Sequence, residues 1–194
     1  MFKTDTSTIA VSSKERDATT ALELKSRGRD IVRRDIPIAD YQILGLPGGL
    51  KVEKKADLSE LMKSLAGNVR YNTERECWRA YFEGTPLVYV VGEKKTKSGV
   101  VINSIWDIMH IERNDIRNEN AREMIQTAVE MMQEMTDLYD TRFIFVEPDK
   151  LVDKIDDLLV RQPGTIWEIL RKRLPEAEVQ DIINEFRHSE KQIE

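Results

Sequence analysis

The stretch AREMIQTAVEMMQEMTDLYDTRFIFVE, residues 121–147, decides the fold class. Its first part carries apolar side chains at helical spacing. They are Ala121, Met124, Ile125, Ala128, Met131, Met132, Met135 and Leu138. An unbroken run of aromatic and β-branched residues follows at 143–146 and is typical of a strand buried on both faces. A long helix that leads into such a strand indicates a crossover between parallel strands, and we expect it to be right-handed.

Similar signals place the other elements around this unit. Asp57 is a helix cap and Gly67 a helix stop, while Thr73 begins a second helix with Cys77, Trp78, Tyr81 and Phe82 as its apolar face. In chain order the remaining elements are strands at 87–92, 100–103 and 106–111, a helix at 150–160, and C-terminal helices at 165–173 and 175–186. The first two of these strands form a hairpin around the polar turn 93–99. This order predicts an α+β fold with a mixed sheet flanked by helices.

The two ends of the chain differ from this central part. Residues 1–56 hold 11 basic and 8 acidic residues, whereas 57–194 hold 19 and 27. The first 20 residues are rich in Ser and Thr and carry few large apolar groups, so we expect an extended basic arm over 1–56. A short helix at 18–32 is expected within it. The core domain then spans 57–160, and 161–194 form a helical extension.

Composition excludes several classes of protein. The chain has 194 residues, a formal net charge of −5, one cysteine and two histidines. Intramolecular disulfides and metal sites with several thiolates are therefore excluded, and two histidines leave little room for a histidine-based metal site. Bulk charge does not favour nucleic acid. The apolar runs are too short to span a bilayer, and the N-terminus lacks a secretory signal. We expect no metal or other cofactor, no membrane partner and a cytoplasmic location.

The order of elements resembles that of the GNAT superfamily of acyl-CoA-dependent N-acyltransferases. The residues that carry the likeness are Glu76-Cys77, 81–87, Ser104-Ile105-Trp106, the long helix and 138–146. They are also similar to the small GNAT-like internal virion proteins of short-tailed bacteriophages. The resemblance covers about residues 57–160 and implies a GNAT-like sheet.

The resemblance places a pyrophosphate-binding loop at the start of the long helix. Arg117 matches the family's pattern there, but Asn120 and Arg122 stand where small residues belong. No tyrosine follows the strand 143–146, so the family's general acid is missing. The resemblance therefore implies no catalytic residue, and it makes Arg117, Asn120 and Arg122 cofactor-binding residues only if acyl-CoA binds.

Two groups of residues outside the core are candidates for partner binding. One is the basic cluster Lys25, Arg27, Arg29, Arg33 and Arg34, which docks on an acidic protein surface or contacts phosphates. The other is the apolar face of the C-terminal helices, with Trp167, Leu170, Ile183 and Phe186, which covers the sheet or meets another chain.

The leading hypothesis from sequence is a non-catalytic assembly or interaction protein. In this interpretation it is a phage virion component, made in the host cytoplasm, whose ends dock on other protein subunits. Two alternatives remain open. One is an N-acyltransferase with a divergent cofactor loop, and the other is a nucleic-acid-binding accessory protein that uses residues 25–34.

Overall fold

The computed structural model describes residues 8–15, 17–44, 49–111 and 120–161, together with Pro175 and Glu178. The strands in this part are β1 (Thr8–Ser12), β2 (Asp30–Arg34), β3 (Tyr41–Ile43), β4 (Lys51–Lys55), β5 (Leu87–Val91) and β6 (Arg142–Phe145). The α-helices are α1 (Ala18–Ser26), α2 (Leu58–Ala66), α3 (Arg70–Phe82), α4 (Ala121–Tyr139) and α5 (Leu151–Arg161). The predicted class, α+β with a mixed sheet flanked by helices, is confirmed.

The six strands form one sheet in the order β2-β1-β3-β4-β5-β6. β1 and β2 are parallel, as are β4 with β5 and β5 with β6, whereas β3 is antiparallel to both of its neighbours. One face packs against α2, α3 and α4, and the other against α1 and α5. The long helix α4 joins two parallel strands, as predicted, although the first of them is β5.

The prediction of an extended N-terminal arm is wrong. Residues 8–55 contribute four of the six strands, and β1 lies inside the sheet between β2 and β3. Ile9, Ala10 and Val11 have no exposed surface. Three consecutive apolar residues between hydroxyl side chains are a weak signal for a strand, and pairing with β2 and β3 on either side fixes the conformation. The helix expected at 18–32 ends at Ser26, and β2 follows it.

The predicted hairpin and third strand are also wrong. Residues 100–103 make only the single bridge between Lys95 and Val101. The segment Ile105–His110 is a 3-10 helix that begins at a capping box between Ser104 and Asp107. The carboxylate of Asp107 accepts the backbone N–H groups of Asn103 and Ser104 at 2.9 and 2.8 Å. This local capping outweighs the alternation of apolar residues that favoured a strand.

Helix α3 begins before the predicted Thr73 and buries a different face. Of the four residues expected on its apolar face, Cys77 is buried, whereas Trp78, Tyr81 and Phe82 are exposed. Thr73 and Ala80 complete the buried side. The predicted helix at 150–160 is confirmed as α5. The helix expected at 165–173 lies outside the described residues, as does the helix expected at 175–186 apart from Pro175 and Glu178. Within the described part, no helix has the length and apolarity to cross a membrane.

Helix α2 has the predicted cap and stop. The carboxylate of Asp57 accepts the backbone N–H of Glu60 at 2.7 Å, and Gly67 ends the helix. We expect Asp57→Ala to lower the free energy of unfolding by about 1 kcal/mol, because one N-terminal donor of the helix loses its acceptor. Urea denaturation followed by circular dichroism measures this change. Glu134→Ala, at an exposed position of α4, is the control, and equal losses in the two variants would contradict the assignment.

Candidate functional site

The two faces of β4 carry different groups of charged residues. Side chains alternate along a strand, so Glu53 and Lys55 point to one face and Lys54 to the other. Glu53 is paired in register with Tyr89 of β5, which belongs to the core beneath α2, α3 and α4. Lys54 lies on the face covered by α1. β4 is an interior strand of the sheet, so both groups lie within the fold.

Asp40 is held beside β4 by three backbone contacts. Its N–H donates to the carbonyl of Val52 at 3.1 Å, and its carbonyl accepts the N–H of Ser12 at 2.8 Å. Its carboxylate accepts the backbone N–H of Lys54 at 2.9 Å. The preceding Ala39 has a φ of 67°, a left-handed conformation that a non-glycine residue adopts at a cost. Hydrogen bonds to β1 on one side and to β4 on the other therefore fix the position of Asp40.

Asp40, Glu53 and Lys55 form what we call the carboxylate–lysine site. The Nζ of Lys55 lies 2.8 Å from Oε1 of Glu53, and the two side chains are only 12% and 13% exposed. Lys55 Nζ is also 6.0 Å from the centroid of the Tyr89 ring. Lys55 and Glu53 therefore form a charge-assisted hydrogen bond that is largely shielded from solvent.

The two carboxyl groups of this site are difficult to ionise together. Burial raises the pKa of Asp40 to about 8, and the negative charge of Glu53 adds to this effect. Burial also raises the pKa of Glu53, although the charge of Lys55 acts in the opposite direction. For Lys55, burial is the largest influence and lowers the pKa, but the charge and hydrogen bond of Glu53 together with the charges of Glu60 and Asp40 outweigh it, and the pKa is raised. Burial and like charge of this kind are typical of functional sites.

Two more glutamates border the carboxylate–lysine site. Burial raises the pKa of Glu76 on α3, with Lys55 acting in the opposite direction and the charge of Asp40 in the same one. Glu60 on α2 accepts the backbone N–H of Ala56 at 2.7 Å, directly after β4, and its charge raises the pKa of Lys55. The site therefore has an excess of carboxyl groups over ammonium groups on this face of the sheet.

The opposite face of β4 holds a separate buried ion group. Lys54 Nζ lies 2.8 Å from Oδ2 of Asp17 and 3.4 Å from Oε2 of Glu15. The side chains of Lys54 and Glu15 are 6% and 10% exposed. Asp17 also caps α1 through the N–H of Thr19 at 2.9 Å. This group ties β4 to the start of α1, so we assign Lys54 a structural role.

The residues of the carboxylate–lysine site fit a hard divalent cation. Carboxylate oxygens are preferred by Mg²⁺, which is usually held by one or two carboxylates together with water and substrate phosphate. A cation shared by two carboxylates also reduces the electrostatic repulsion between them. In the described part of the chain, no cluster of three or more His, Cys, Asp or Glu side chains is arranged to hold a metal. A bound magnesium would therefore rely on Asp40 and Glu53 and on oxygens from outside the protein.

The predicted cofactor loop is only partly described. Arg117 lies outside the described residues. Asn120 occupies the position before the first turn of α4, and Arg122 is an exposed residue of that turn. Nothing in the described geometry brings these two residues to the carboxylate–lysine site, which is formed at β4 and β3.

The predicted basic cluster is divided in the structure. Arg27 lies 2.6 Å from Asp153, and Arg29 contacts both carboxylate oxygens of Asp156 at 2.8 and 3.3 Å, so these two arginines join the segment after α1 to α5. The other three members, Lys25, Arg33 and Arg34, are exposed. The apolar candidates Trp167, Leu170, Ile183 and Phe186 lie outside the described residues. For all nine residues a role in partner binding remains a prediction.

Asp40, Glu53 and Lys55 are not among the site residues predicted from the sequence. The available signal is the run KVEKK at 51–55, in which Val52 is the one apolar residue among four charged residues. Such a run is normally a solvated edge strand, and only its place inside the sheet makes its charges unusual.

Comparison with known proteins gives a likeness of fold. No family model matches the sequence, and no curated protein matches it. Among solved structures, XPF from Aeropyrum pernix superposes with a TM-score of 0.52 at 17% identity, over 79% of this chain and 60% of that one. The chain has an XPF-like fold. A structure of Aeropyrum pernix XPF in complex with DNA gives a TM-score of 0.54 at 17% identity, over 92% of this chain and 81% of that one.

This likeness overturns the resemblance to the GNAT superfamily. XPF from Aeropyrum pernix superposes on most of the chain, so the fold that the chain shares is that of XPF. The GNAT assignment rested on the order of predicted elements from 57 onward, and two of those elements, the strands at 100–103 and 106–111, are absent. The hypothesis of a phage virion component is corrected with it, because the fold is shared with a protein that has been observed on DNA.

Proposed function

We propose that this chain binds nucleic acid and cleaves its phosphodiester bonds at the carboxylate–lysine site with the help of a divalent cation. The observation that supports this most directly is the pair of buried carboxyls, Asp40 and Glu53, beside the ammonium group of Lys55. The XPF-like fold, including that of a structure in complex with DNA, adds support. This proposal replaces the expectation of a protein without metal or catalytic residues.

Each of the three side chains has a distinct role in the proposal. Asp40 and Glu53 hold the cation, and Asp40 does so from a rigid position because its backbone is bonded to both neighbouring strands. When bound, the cation supplies an activated water and neutralises charge on the phosphate. Lys55 offers an ammonium group with three donors, already oriented by Glu53, that contacts a phosphate oxygen and stabilises its growing negative charge.

A cleavage assay on labelled DNA tests this proposal. We expect the 194-residue chain to cut DNA in Mg²⁺ or Mn²⁺ and to lose cleavage in excess EDTA. Asp40→Asn and Glu53→Gln each lower the rate by about a hundredfold or more, since each removes a charged oxygen from the cation. Lys55→Met lowers the rate while leaving the cation ligands in place.

The control variant is Asp149→Asn, which removes a carboxylate from an exposed position before α5 and should leave the rate unchanged. Circular dichroism shows whether each variant is folded. Cleavage that persists in EDTA, or wild-type rates in both Asp40→Asn and Glu53→Gln, would refute the proposal.

A further inference from the structure

Helix α3 presents a row of large aromatic side chains to solvent. Tyr71, Trp78 and Phe82 are 71%, 47% and 68% exposed. They are separated by seven and four residues, so they lie on one side of the helix, opposite to the buried Thr73 and Ala80. We call these three residues the aromatic row. At 1.5 Å per residue it extends over about 16 Å.

The aromatic row is continued by two tyrosines. The rings of Trp78 and Phe82 have their centroids 4.6 Å apart, and Tyr81 lies 5.7 Å from Phe82. Tyr139 of α4 lies 6.1 Å from Tyr81. Trp78, Phe82, Tyr81 and Tyr139 are therefore consecutive neighbours, and exposed apolar patches of this kind often mark binding sites in soluble proteins.

Cations lie along the side of the aromatic row that faces the carboxylate–lysine site. With 100° between successive residues, Arg75 and Arg79 lie between the row and Glu76 around the helix. Both arginines are exposed. Glu76 is close enough to Lys55 and Asp40 for their charges to affect its pKa. Around α3, therefore, Glu76 lies nearest to the carboxylate–lysine site, Arg75 and Arg79 follow, and the aromatic row lies farthest from it.

We infer that this face of α3 is a binding platform for single-stranded nucleic acid, which stacks its bases on the aromatic row and places its phosphates against Arg75 and Arg79. The inference rests on the proposed function and adds a substrate class to it. A strand bound in this way lies beside the helix that borders the carboxylate–lysine site.

The combination of groups favours this ligand over others. Aromatic rings stack on any base, and arginines attract a phosphate backbone, so interleaved rings and cations are suited to a single strand. A duplex hides its base faces inside the stack and offers the rings no partner. A protein surface that buried the aromatic row would also have to neutralise two arginines at its edge.

The test compares the affinity for single strands with the affinity for a duplex. It uses fluorescence anisotropy in EDTA, so no cleavage occurs. The probes are ten-nucleotide (dT) and (rU) strands and a ten-base-pair duplex. We expect Trp78→Ala and Phe82→Ala each to weaken single-strand binding about tenfold, since stacking on one ring is worth roughly that factor. Duplex affinity changes less than twofold. Arg75→Gln with Arg79→Gln weakens single-strand binding and reduces its dependence on salt.

The matched control is Trp106→Ala, since Trp106 is another exposed tryptophan, 58% exposed, on the 3-10 helix 105–110. It should leave all affinities unchanged. Single-strand affinity within twofold of wild type in both aromatic variants would overturn the inference. So would a change from dimer to monomer in those variants by sedimentation, which would assign the aromatic row to a second copy of this chain. Because the assay needs no cation, its outcome is separate from the cleavage test of the proposed function.

Discussion

Replacing Lys54 by methionine is expected to lower the free energy of unfolding by about 3–5 kcal/mol, the largest loss of stability that a single substitution outside the apolar core should produce. The ammonium group of Lys54 contacts Asp17 at 2.8 Å and Glu15 at 3.4 Å. Glu15 is 10% exposed, so the variant leaves a nearly buried carboxylate without its cation. Urea denaturation at pH 7, followed by far-ultraviolet circular dichroism, measures the loss.

Lys14→Met is the matched control for this substitution. Lys14 also pairs with an aspartate, Asp35, at 3.7 Å, but both side chains are more than 70% exposed. An ion pair of that kind contributes at most about 1 kcal/mol. Adding Glu15→Gln to Lys54→Met should restore part of the stability, because the unpaired charge is removed. Equal losses in the two lysine variants, or no recovery in the double variant, would contradict a buried ion group.

The parts of the fold that the sequence predicts are those with strong local signals. Helix α4 has a long apolar period, and α2 has Asp57 and Gly67 at its ends, so both are placed within a residue or two. β5 is a continuous run of apolar residues, all of them buried in the structure. The local sequence of such elements already favours their conformation, and tertiary contacts add to that preference.

The parts that sequence reasoning misplaced depend on distant partners. β1 is five residues long and becomes a strand because β2 and β3 lie on either side of it. The segment 105–110 has an alternation of residues that favours a strand. However, the carboxylate of Asp107 accepts two backbone N–H groups, and this cap favours a 3-10 helix. Short segments have little periodicity of their own, so contacts across the sheet or at a cap decide their state.

The candidate site was missed for a related reason. Glu53 and Lys55 belong to a run that is typical of a solvated strand. Asp40 belongs to a stretch that is interrupted by proline and glycine. Their chemistry appears only when β3 and β4 are paired and Asp40 is bonded to Lys54 across that pairing. The exposed aromatics of α3 were misassigned for the opposite reason, because large apolar side chains at helical spacing are usually core.

The second large effect concerns pH. Burial beside Glu53 raises the pKa of Asp40 to about 8, against an ordinary value of 3.8 in the unfolded chain. Between these two values the folded protein holds a proton that the unfolded chain has released, so stability falls as pH rises through this window. In EDTA, we expect wild type to lose about 4 kcal/mol of stability relative to Asp40→Asn between pH 5 and pH 8, because the amide carries no charge to bury.

Urea denaturation at several pH values between 5 and 8 measures this difference, with Asp149→Asn as a control that follows the wild-type curve. Glu53 and Glu76 also have raised pKa values and add to the wild-type slope, so the comparison reports the share of Asp40 together with its electrostatic coupling to these two glutamates. Magnesium should stabilise wild type most at pH 8, where Asp40 gives up its proton most readily, and should have little effect on Asp40→Asn. An Asp40→Asn variant that is less stable than wild type at pH 8 in EDTA would mean that the Asp40 carboxylate is stabilised by its neighbours. In that case the site would have no need of an added cation.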